Sequence, residues 1–150
     1  MTSLSSEDAF AELYYTLQAI KLATGVTPSC WRPPFGDIDD RIRAIAHALG
    51  LQTIVWKYDS NDWKVGLQGV TQDTVSGNYQ ALIDRVKNGT FATEGAVILT
   101  HELNNYTMQT AIDWYPKLKE AFQVCLFFHR GLFFCSFNRL DSTSSRWQLR

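Results

Sequence analysis

The strongest constraint on the fold of this chain is its alternation of helix-type and strand-type segments. Apolar residues recur at helical spacing over residues 5–25, 39–50 and 71–87. Compact apolar stretches, typical of buried strands, lie at 51–58 and 95–100. Strands that alternate with helices are typical of parallel sheets. The sequence therefore predicts an α/β fold, either a parallel sheet or a barrel.

Local signals mark where several of these elements begin and end. Ser5 and Asp8 form a capping-box pattern before the first helix, which is expected to bury an apolar face that includes Phe10. Gly25 is expected to end this helix. Pro116 is tolerated best in the first turn of a helix, so we predict a short helical turn near Thr107 and a separate helix over 118–122.

Length and charge limit what the chain can do. Its 150 residues are enough for one sizeable core, so we expect one domain, but a (β/α) barrel typically needs about 250 residues. The net charge of −1 has both signs scattered, which gives no electrostatic case for a nucleic-acid partner. The N-terminus has no signal-peptide pattern. Sequons at Asn88 and Asn105 mildly favour a secreted protein.

Three short segments contain the residue types of an active site. They read Trp-Arg-Pro-Pro-Phe-Gly-Asp at 31–37, Asp-Ser-Asn-Asp-Trp at 59–63 and Ile-Leu-Thr-His-Glu at 98–102. Each lies beside a predicted strand, and in α/β folds chemistry collects where the carboxyl ends of strands meet. We therefore expect Arg32, Asp62 and His101 to take part in acid–base chemistry on a polar substrate.

In this order, the three segments resemble the third, fourth and fifth motifs of the NodB-homology polysaccharide deacetylases, carbohydrate esterase family 4. They are most like those of the fungal chitin deacetylases, and the resemblance covers roughly residues 3–122. The family's opening Thr-Phe-Asp-Asp strand and its two-histidine segment do not occur, so we expect the chain to start just after them. The resemblance implies a partial (β/α) barrel of the glycoside hydrolase/deacetylase type over residues 1–123, missing its N-terminal strands.

The resemblance also implies an activity, the hydrolysis of the N-acetyl group of chitin or N-acetylglucosamine polymers. Family members use a divalent metal, zinc or cobalt, whose ligands we expect upstream of Met1, so this chain is expected to bind no metal and to be inactive alone. His101 matches the acid that protonates the leaving amine, and Asp62 matches the residue that orients it. Arg32 matches the arginine that positions a general base, and that base belongs to the absent opening motif.

The remaining matches concern substrate binding. The backbone N–H of Phe35, which replaces the usual tyrosine, matches a donor to the oxyanion of the tetrahedral intermediate. Trp63 and Leu99 match walls of the substrate groove and of the acetyl pocket. The implied partners are chitin or N-acetylglucosamine oligomers, with a parent protein that is secreted or lies in the cell wall or at the cell surface. A membrane would be reached only through an anchor that this chain lacks.

The polar site residues have structural alternatives. Arg32 could form a structural ion pair, and Asp59 and Asp62 could be turn residues or helix caps. We favour Asp62 as functional and Asp59 as structural. A zinc-protease interpretation of His101 and its neighbouring glutamate fails, because Asn105 stands where that motif needs a second histidine.

Whole-protein alternatives also remain open. Trp63 and Leu99 could belong to the core, and His47, alone on a predicted helix, is expected at the surface. The chain could be a non-catalytic carbohydrate-binding remnant or pseudoenzyme that keeps the groove residues. It could also be a generic α/β interaction domain, in which case Arg32, Asp62 and His101 would lie far apart.

Residues 124–150 depart from the family pattern. The codons for Val124 and Cys125 can match the start of a common fungal intron, so we interpret 124–150 as an atypical tail produced by intron read-through. The alternative is an aromatic-rich terminal strand. Cys125 and the other two cysteines, Cys30 and Cys135, show no Cys-x-x-Cys spacing, which argues against a zinc knuckle or a thioredoxin-like pair.

Overall fold

The computed structural model describes residues 1–92, 94–128 and 132–137, with the backbone alone after residue 122. These residues fall into two compact units, Met1–Val55 and a second unit that begins at Trp56. No helix in the described ranges is long and apolar enough to cross a membrane.

The first unit packs two helices with two short strands. Its elements are α1 (Ser6–Thr24), β1 (Cys30–Trp31), a single tight turn over Pro34–Gly36, α2 (Asp40–Ala48) and β2 (Gln52–Thr53). Strands β1 and β2 pair in parallel. The core of this unit consists of apolar side chains from both helices and the strands: Ala9, Leu13, Leu17, Trp31, Ile42, Ala46 and Leu51.

Side chains that cap α1 and α2 set their start points. Ser5 accepts the backbone N–H of Asp8, and Asp39 accepts that of Ile42 at 2.8 Å. Gly25 ends α1 in the left-handed conformation, as expected. The predicted inward position of Phe10 is wrong, because Ala9 takes the buried register and Phe10 is left 45% exposed.

The second unit contains a four-stranded sheet and two long helices. Its elements are β3 (Tyr58–Asp59), a short 3₁₀ helix (Asp62–Lys64), α3 (Gln72–Lys87), β4 (Val97–Leu99), α4 (Asn105–Ala121), β5 (Gln123–Phe128) and β6 (Leu132–Phe137). The strand order is β3-β4-β6-β5, with β3 and β4 parallel and the other pairs antiparallel. Its core is formed by ten buried apolar residues: Val75, Tyr79, Leu82, Ile83, Phe91, Ala96, Ile98, Trp114, Leu118 and Phe122.

The single strand predicted over 51–58 is two strands in separate sheets. The backbone changes partner between them, because the N–H of Ile54 bonds to Trp31 in the first unit while the N–H of Lys57 bonds to Val97 in the second. The residue types of this run do not indicate where such a change of partner occurs.

The predicted break near Pro116 is also wrong, because α4 runs through it. Asn104 and Thr107 form a reciprocal cap at its start, and Trp114 and Leu118 face the core on either side of the proline. Proline inside a helix removes one backbone hydrogen bond. The packed apolar face of α4 offsets that loss.

The α/β class is confirmed, but the barrel expectation holds only in part. The described strands form one sheet of two and one of four, and neither closes on itself. The segment interpreted as an atypical tail contributes β5 and β6, and its origin as an intron stays a hypothesis. Residues 129–131 and 138–150, including His129, lie outside the described residues.

Candidate active site

The loop that follows β3 is shaped by its own side chains. Asp59 Oδ1 accepts the backbone N–H of Asn61 at 2.8 Å, and Ser60 Oγ accepts that of Asp62 at 3.3 Å. Asn61 adopts a left-handed conformation with φ of 58°, which asparagine tolerates better than most residues. Asp59 is therefore used as a turn residue, which agrees with the structural role favoured for it.

Asp62 and His101 form a close pair although 39 positions separate them. Asp62 Oδ1 lies 2.8 Å from His101 Nδ1, and Asp62 Oδ2 accepts the backbone N–H of His101 at 2.7 Å. The backbone N–H of Trp63 donates to Oδ1 at 2.9 Å. The Asp62 side chain is 1% exposed and the His101 side chain 21%. Since the Nδ1 of His101 is hydrogen-bonded to the Asp62 carboxylate, Nε2 is the ring nitrogen available to a substrate.

Parallel pairing of β3 with β4 brings this pair together. Tyr58 lies opposite Ile98 and Asp59 opposite Leu99, and the N–H of Ser60 extends the ladder to Leu99 at 3.1 Å. Both loops therefore leave the sheet at the same edge, as the sequence predicts. A generic α/β domain with its polar residues far apart does not agree with the contact between Asp62 and His101.

Trp63 and Leu99 flank this pair in different ways. The Trp63 side chain is 43% exposed, and its ring centroid lies 6.4 Å from that of His101 at an angle of 66°. Lys64 Nζ lies 4.9 Å from the Trp63 ring centroid. Leu99 is 3% exposed, as its core alternative predicts. The exposed indole of Trp63, beside the partly exposed imidazole of His101, is available to stack on a sugar ring. The side chain of Leu99, in contrast, is buried.

Arg32 and Phe35 belong to the first unit, where they follow β1. Arg32 is half-buried, and that burial lowers the pKa of its guanidinium. Phe35 is 97% exposed and has φ of 58° and ψ of 8°, a left-handed conformation that non-glycine residues rarely adopt. The N–H of Gly36 donates to Pro33 at 3.1 Å, which closes the turn around Phe35.

Asp37 ends this segment with a network of its own. Its carboxylate accepts hydrogen bonds from the amino terminus of Met1 and from both the backbone N–H and the hydroxyl of Thr2. These donors hold the pKa of Asp37 well below its usual range. Asp37 therefore ties the start of the chain to the turn that contains Phe35.

Two residues that support the Asp62–His101 pair were not recognised in the sequence. Ser60 is fully buried, and Asn78 on α3 donates from Nδ2 to the Ser60 carbonyl at 2.9 Å. A polar asparagine beside the apolar face of α3 is the signal that could have identified this contact. Ser60 and Asn78 hold the loop that presents Asp62.

Carbohydrate esterases of family 4 are generally metal-dependent, so we asked which side chains could hold a metal ion. In the part of the chain that the structure describes, no three or more His, Cys, Asp or Glu residues cluster in a way that could hold a metal ion. The described residues therefore do not fit a metal site. His47, as predicted, is exposed on α2.

Comparison with known proteins gives these observations a context. A family model described as polysaccharide deacetylase matches residues 1–54, which include Arg32 and Phe35 but not Asp62 or His101. Over 122 residues the chain is 57% identical to chitin deacetylase 2 of Cryptococcus neoformans var. neoformans, which covers 81% of this chain. The chain spans 27% of that relative, about a quarter of its length.

Solved structures agree with the sequence relatives. A family 4 carbohydrate esterase from Streptomyces lividans matches with a TM-score of 0.63 at 28% identity, over 80% of this chain and 55% of the other. A family 4 pseudoenzyme from Bacillus anthracis matches with a TM-score of 0.59 at 28% identity, over 79% of this chain and 37% of the other. By sequence and by fold, the chain is therefore similar to part of the polysaccharide deacetylases of carbohydrate esterase family 4.

Proposed function

We propose that this chain forms part of a hydrolase of the chitin deacetylase type, which releases acetate from N-acetylglucosamine units of chitin. The observation that carries the proposal is the buried Asp62 carboxylate bonded to the Nδ1 of a partly exposed His101. The identity of 57% to a chitin deacetylase supports the choice of substrate class. Chitin is a wall polymer, so we also propose that the parent protein acts outside the cell or in the cell wall.

Amide hydrolysis needs a proton for its leaving group. Water adds to the acetamide carbonyl, the tetrahedral intermediate collapses, and the carbon–nitrogen bond breaks as the nitrogen gains a proton. In our proposal, Nε2 of His101 delivers that proton. The Asp62 carboxylate, 2.8 Å from Nδ1, orients the ring and stabilises its positive charge. The products are acetate and a glucosamine unit.

The first unit is proposed to supply the groups that the resemblance implies. The backbone of Phe35 is held in a left-handed turn, and such conformations persist mainly where the surrounding structure imposes them. Its N–H is proposed to stabilise the oxyanion, and the half-buried Arg32 is proposed to position the general base. The buried side chain of Leu99 is proposed to form part of the wall of the acetyl pocket.

Water activation requires groups beyond these. The described residues do not fit a metal site, and the general base of the family belongs to the opening motif. We therefore propose that residues 1–150 alone release no acetate, and that the proton donor acts when this segment forms part of a longer domain.

A segment exchange tests the proposal. The 122 aligned residues of this chain would replace their counterparts in the Cryptococcus chitin deacetylase 2, and acetate release from N-acetylglucosamine oligomers would be measured. We expect activity, with a loss of about 10²- to 10⁴-fold in kcat for His101→Ala. His47→Ala, an exposed histidine on α2, is the matched control and should change nothing. A folded chimera without acetate release would contradict the proposal.

A second candidate function is carbohydrate binding without catalysis. The 43% exposed Trp63 beside His101 favours it, as does the likeness to a structure described as a pseudoenzyme. NMR titration of the 150-residue chain with N-acetylglucosamine oligomers tests this. Binding that is lost in Trp63→Ala but kept in Tyr15→Ala, which removes a 69% exposed ring from α1, would support it. Binding together with an inactive chimera would favour this candidate over the hydrolase.

A further inference from the structure

Lysine side chains of the second unit lie over two tryptophan rings. Lys64 Nζ is 4.9 Å from the ring centroid of Trp63, and Lys117 Nζ is 4.0 Å from that of Trp114. The face of an indole carries a negative potential, so a positive ammonium group over it is attracted to the ring. The two contacts share this chemistry, but the two rings differ in what else holds them.

The Trp114 ring is held by the core with or without its lysine. It is largely buried and stacks on Tyr79, with centroids 5.3 Å apart and planes within 9°. It also belongs to the apolar core of the second unit. Side chains in a close-packed core have little room to change rotamer, because their neighbours fill the space around them. Lys117 therefore covers a ring whose position the core already determines.

The Trp63 ring has no such packing. It is exposed and is not among the residues of the apolar core. Its centroid lies 6.4 Å from that of the His101 ring, in an edge-on arrangement, and the Lys64 ammonium lies over its face. An exposed side chain with few packed neighbours changes rotamer freely unless a specific contact restrains it. For Trp63, the contact with Lys64 is such a restraint.

The backbone around Lys64 fixes the point from which its side chain extends. Lys64 ends the short 3₁₀ helix, its N–H donates to the Asn61 carbonyl at 3.0 Å, and its own carbonyl accepts the N–H of Leu67 at 2.7 Å. Its side chain is partly buried, and it forms no ion pair with an acid among the described residues. The ammonium group is therefore available to the Trp63 ring.

We propose that Lys64 is a positioning residue for sugar binding, because its ammonium holds the exposed Trp63 ring beside His101 and leaves the other face of the indole to the substrate. The consequence for sugar binding rests on the proposed function, whereas the effect on the ring does not. A ring that is held in place before the sugar arrives loses less conformational freedom on binding, so the complex is tighter. If Lys64 were only a solvated surface lysine, removal of its charge would change neither the ring nor the binding.

The order of the indole ring in the 150-residue chain tests the first part of the proposal. Lys64→Gln removes the charge, and Lys64→Arg keeps a cation that can lie over the ring. We expect the NMR order parameter of the Trp63 indole N–H to fall from about 0.8 to below about 0.6 in Lys64→Gln and to stay high in Lys64→Arg, with Tm unchanged in both.

The second lysine provides the matched control for this experiment. Lys117→Gln removes the same kind of contact from Trp114, and the order parameter of that buried indole should not change. An order parameter of Trp63 that is the same in the wild type and in Lys64→Gln would overturn the proposal, because the ring would then be ordered, or disordered, without help from Lys64.

Titration with N-acetylglucosamine oligomers tests the second part. Loss of a cation–π contact at an exposed ring should weaken binding about two- to fivefold in Lys64→Gln, whereas Lys64→Arg should restore it and Lys117→Gln should leave it unchanged. In the segment-exchange chimera, Lys64→Gln should raise KM by the same factor and leave kcat unchanged, because His101 is not altered. Equal affinity and equal KM in Lys64→Gln and the wild type would overturn the positioning role.

Failure of the proposed function gives a different pattern. A wild-type chain that binds no oligomer, together with a folded but inactive chimera, would contradict the proposed function. The order parameter of the Trp63 indole would still decide whether Lys64 positions the ring, since that measurement needs neither sugar nor activity.

Discussion

The two units hold their candidate site residues by opposite means. In the second unit, Asp62 is buried and accepts three N–H donors from His101 and Trp63 at 2.7 to 2.9 Å. In the first unit, the ring of Phe35 is almost fully exposed, and only its backbone is constrained, in a left-handed turn. One site therefore depends on hydrogen bonds between distant residues and the other on local backbone geometry. Each should fail in response to a different kind of substitution.

Two tryptophans of the second unit sharpen this comparison with the largest expected effect. Trp114 is 8% exposed and stacks on Tyr79, so Trp114→Ala should destabilise the chain by about 3–5 kcal/mol. Trp63 is 43% exposed, and Trp63→Ala should cost far less stability while it abolishes binding of N-acetylglucosamine oligomers. Urea unfolding measures both variants. Equal destabilisation would show that Trp63 is a core residue and not part of a groove.

Removal of Asp62 tests whether hydrogen bonds hold the second site. Asp62→Ala leaves the N–H donors of His101 and Trp63 without their acceptor, and we expect a loss of about 2–3 kcal/mol in the free energy of unfolding. Glu102→Gln alters the exposed acid next to His101 and is the control, with no expected change. A loss below about 0.5 kcal/mol, typical of exposed surface sites, would contradict the assigned role.

Phe35 tests the opposite principle in the first unit. Phe35→Gly removes the cost of a left-handed non-glycine residue, so it should stabilise the chain by about 0.5–1 kcal/mol after allowance for the more flexible unfolded state. Phe35→Ala keeps the backbone cost and loses only an exposed ring, so it should be nearly neutral. Chemical unfolding of both variants measures the difference. Destabilisation by glycine would show that the turn is not strained.

The smallest expected effect is the pH dependence of the contact between Asp37 and the start of the chain. The Met1 amino group and Thr2 hold the pKa of Asp37 below its ordinary value, so the carboxylate favours the folded state above about pH 4. That contribution is lost as the pH falls further, since the unfolded chain takes up the proton first. Asp37→Asn should flatten the dependence of Tm on pH in the acid range, and Glu12→Gln, an exposed acid on α1, should not. A similar slope in both variants would exclude the contact in solution.

Local signals could be predicted from the sequence because they act between near neighbours. The caps at Ser5 and Asp39 and the turn at Asp59 each join atoms two or three positions apart. Partner changes could not be predicted in this way. The apolar run at 51–58 reads as one strand, yet its two ends pair with different sheets. Similarly, α4 continues through Pro116 because Trp114 and Leu118 pack in the core. The helix propensities of single residues give no information about such packing.

The sequence by itself determined the types and the order of the chemical groups: an arginine before two prolines, an aspartate directly before a tryptophan, and a histidine after an apolar run. It also determined the resemblance to the polysaccharide deacetylases. Only the tertiary structure decided that Asp62 and His101 are in contact, that Leu99 is buried while Trp63 is exposed, and that Tyr79 stacks on Trp114 in the core. The physical reason is that residue type and spacing encode local conformation, whereas burial and contact depend on which strands pair.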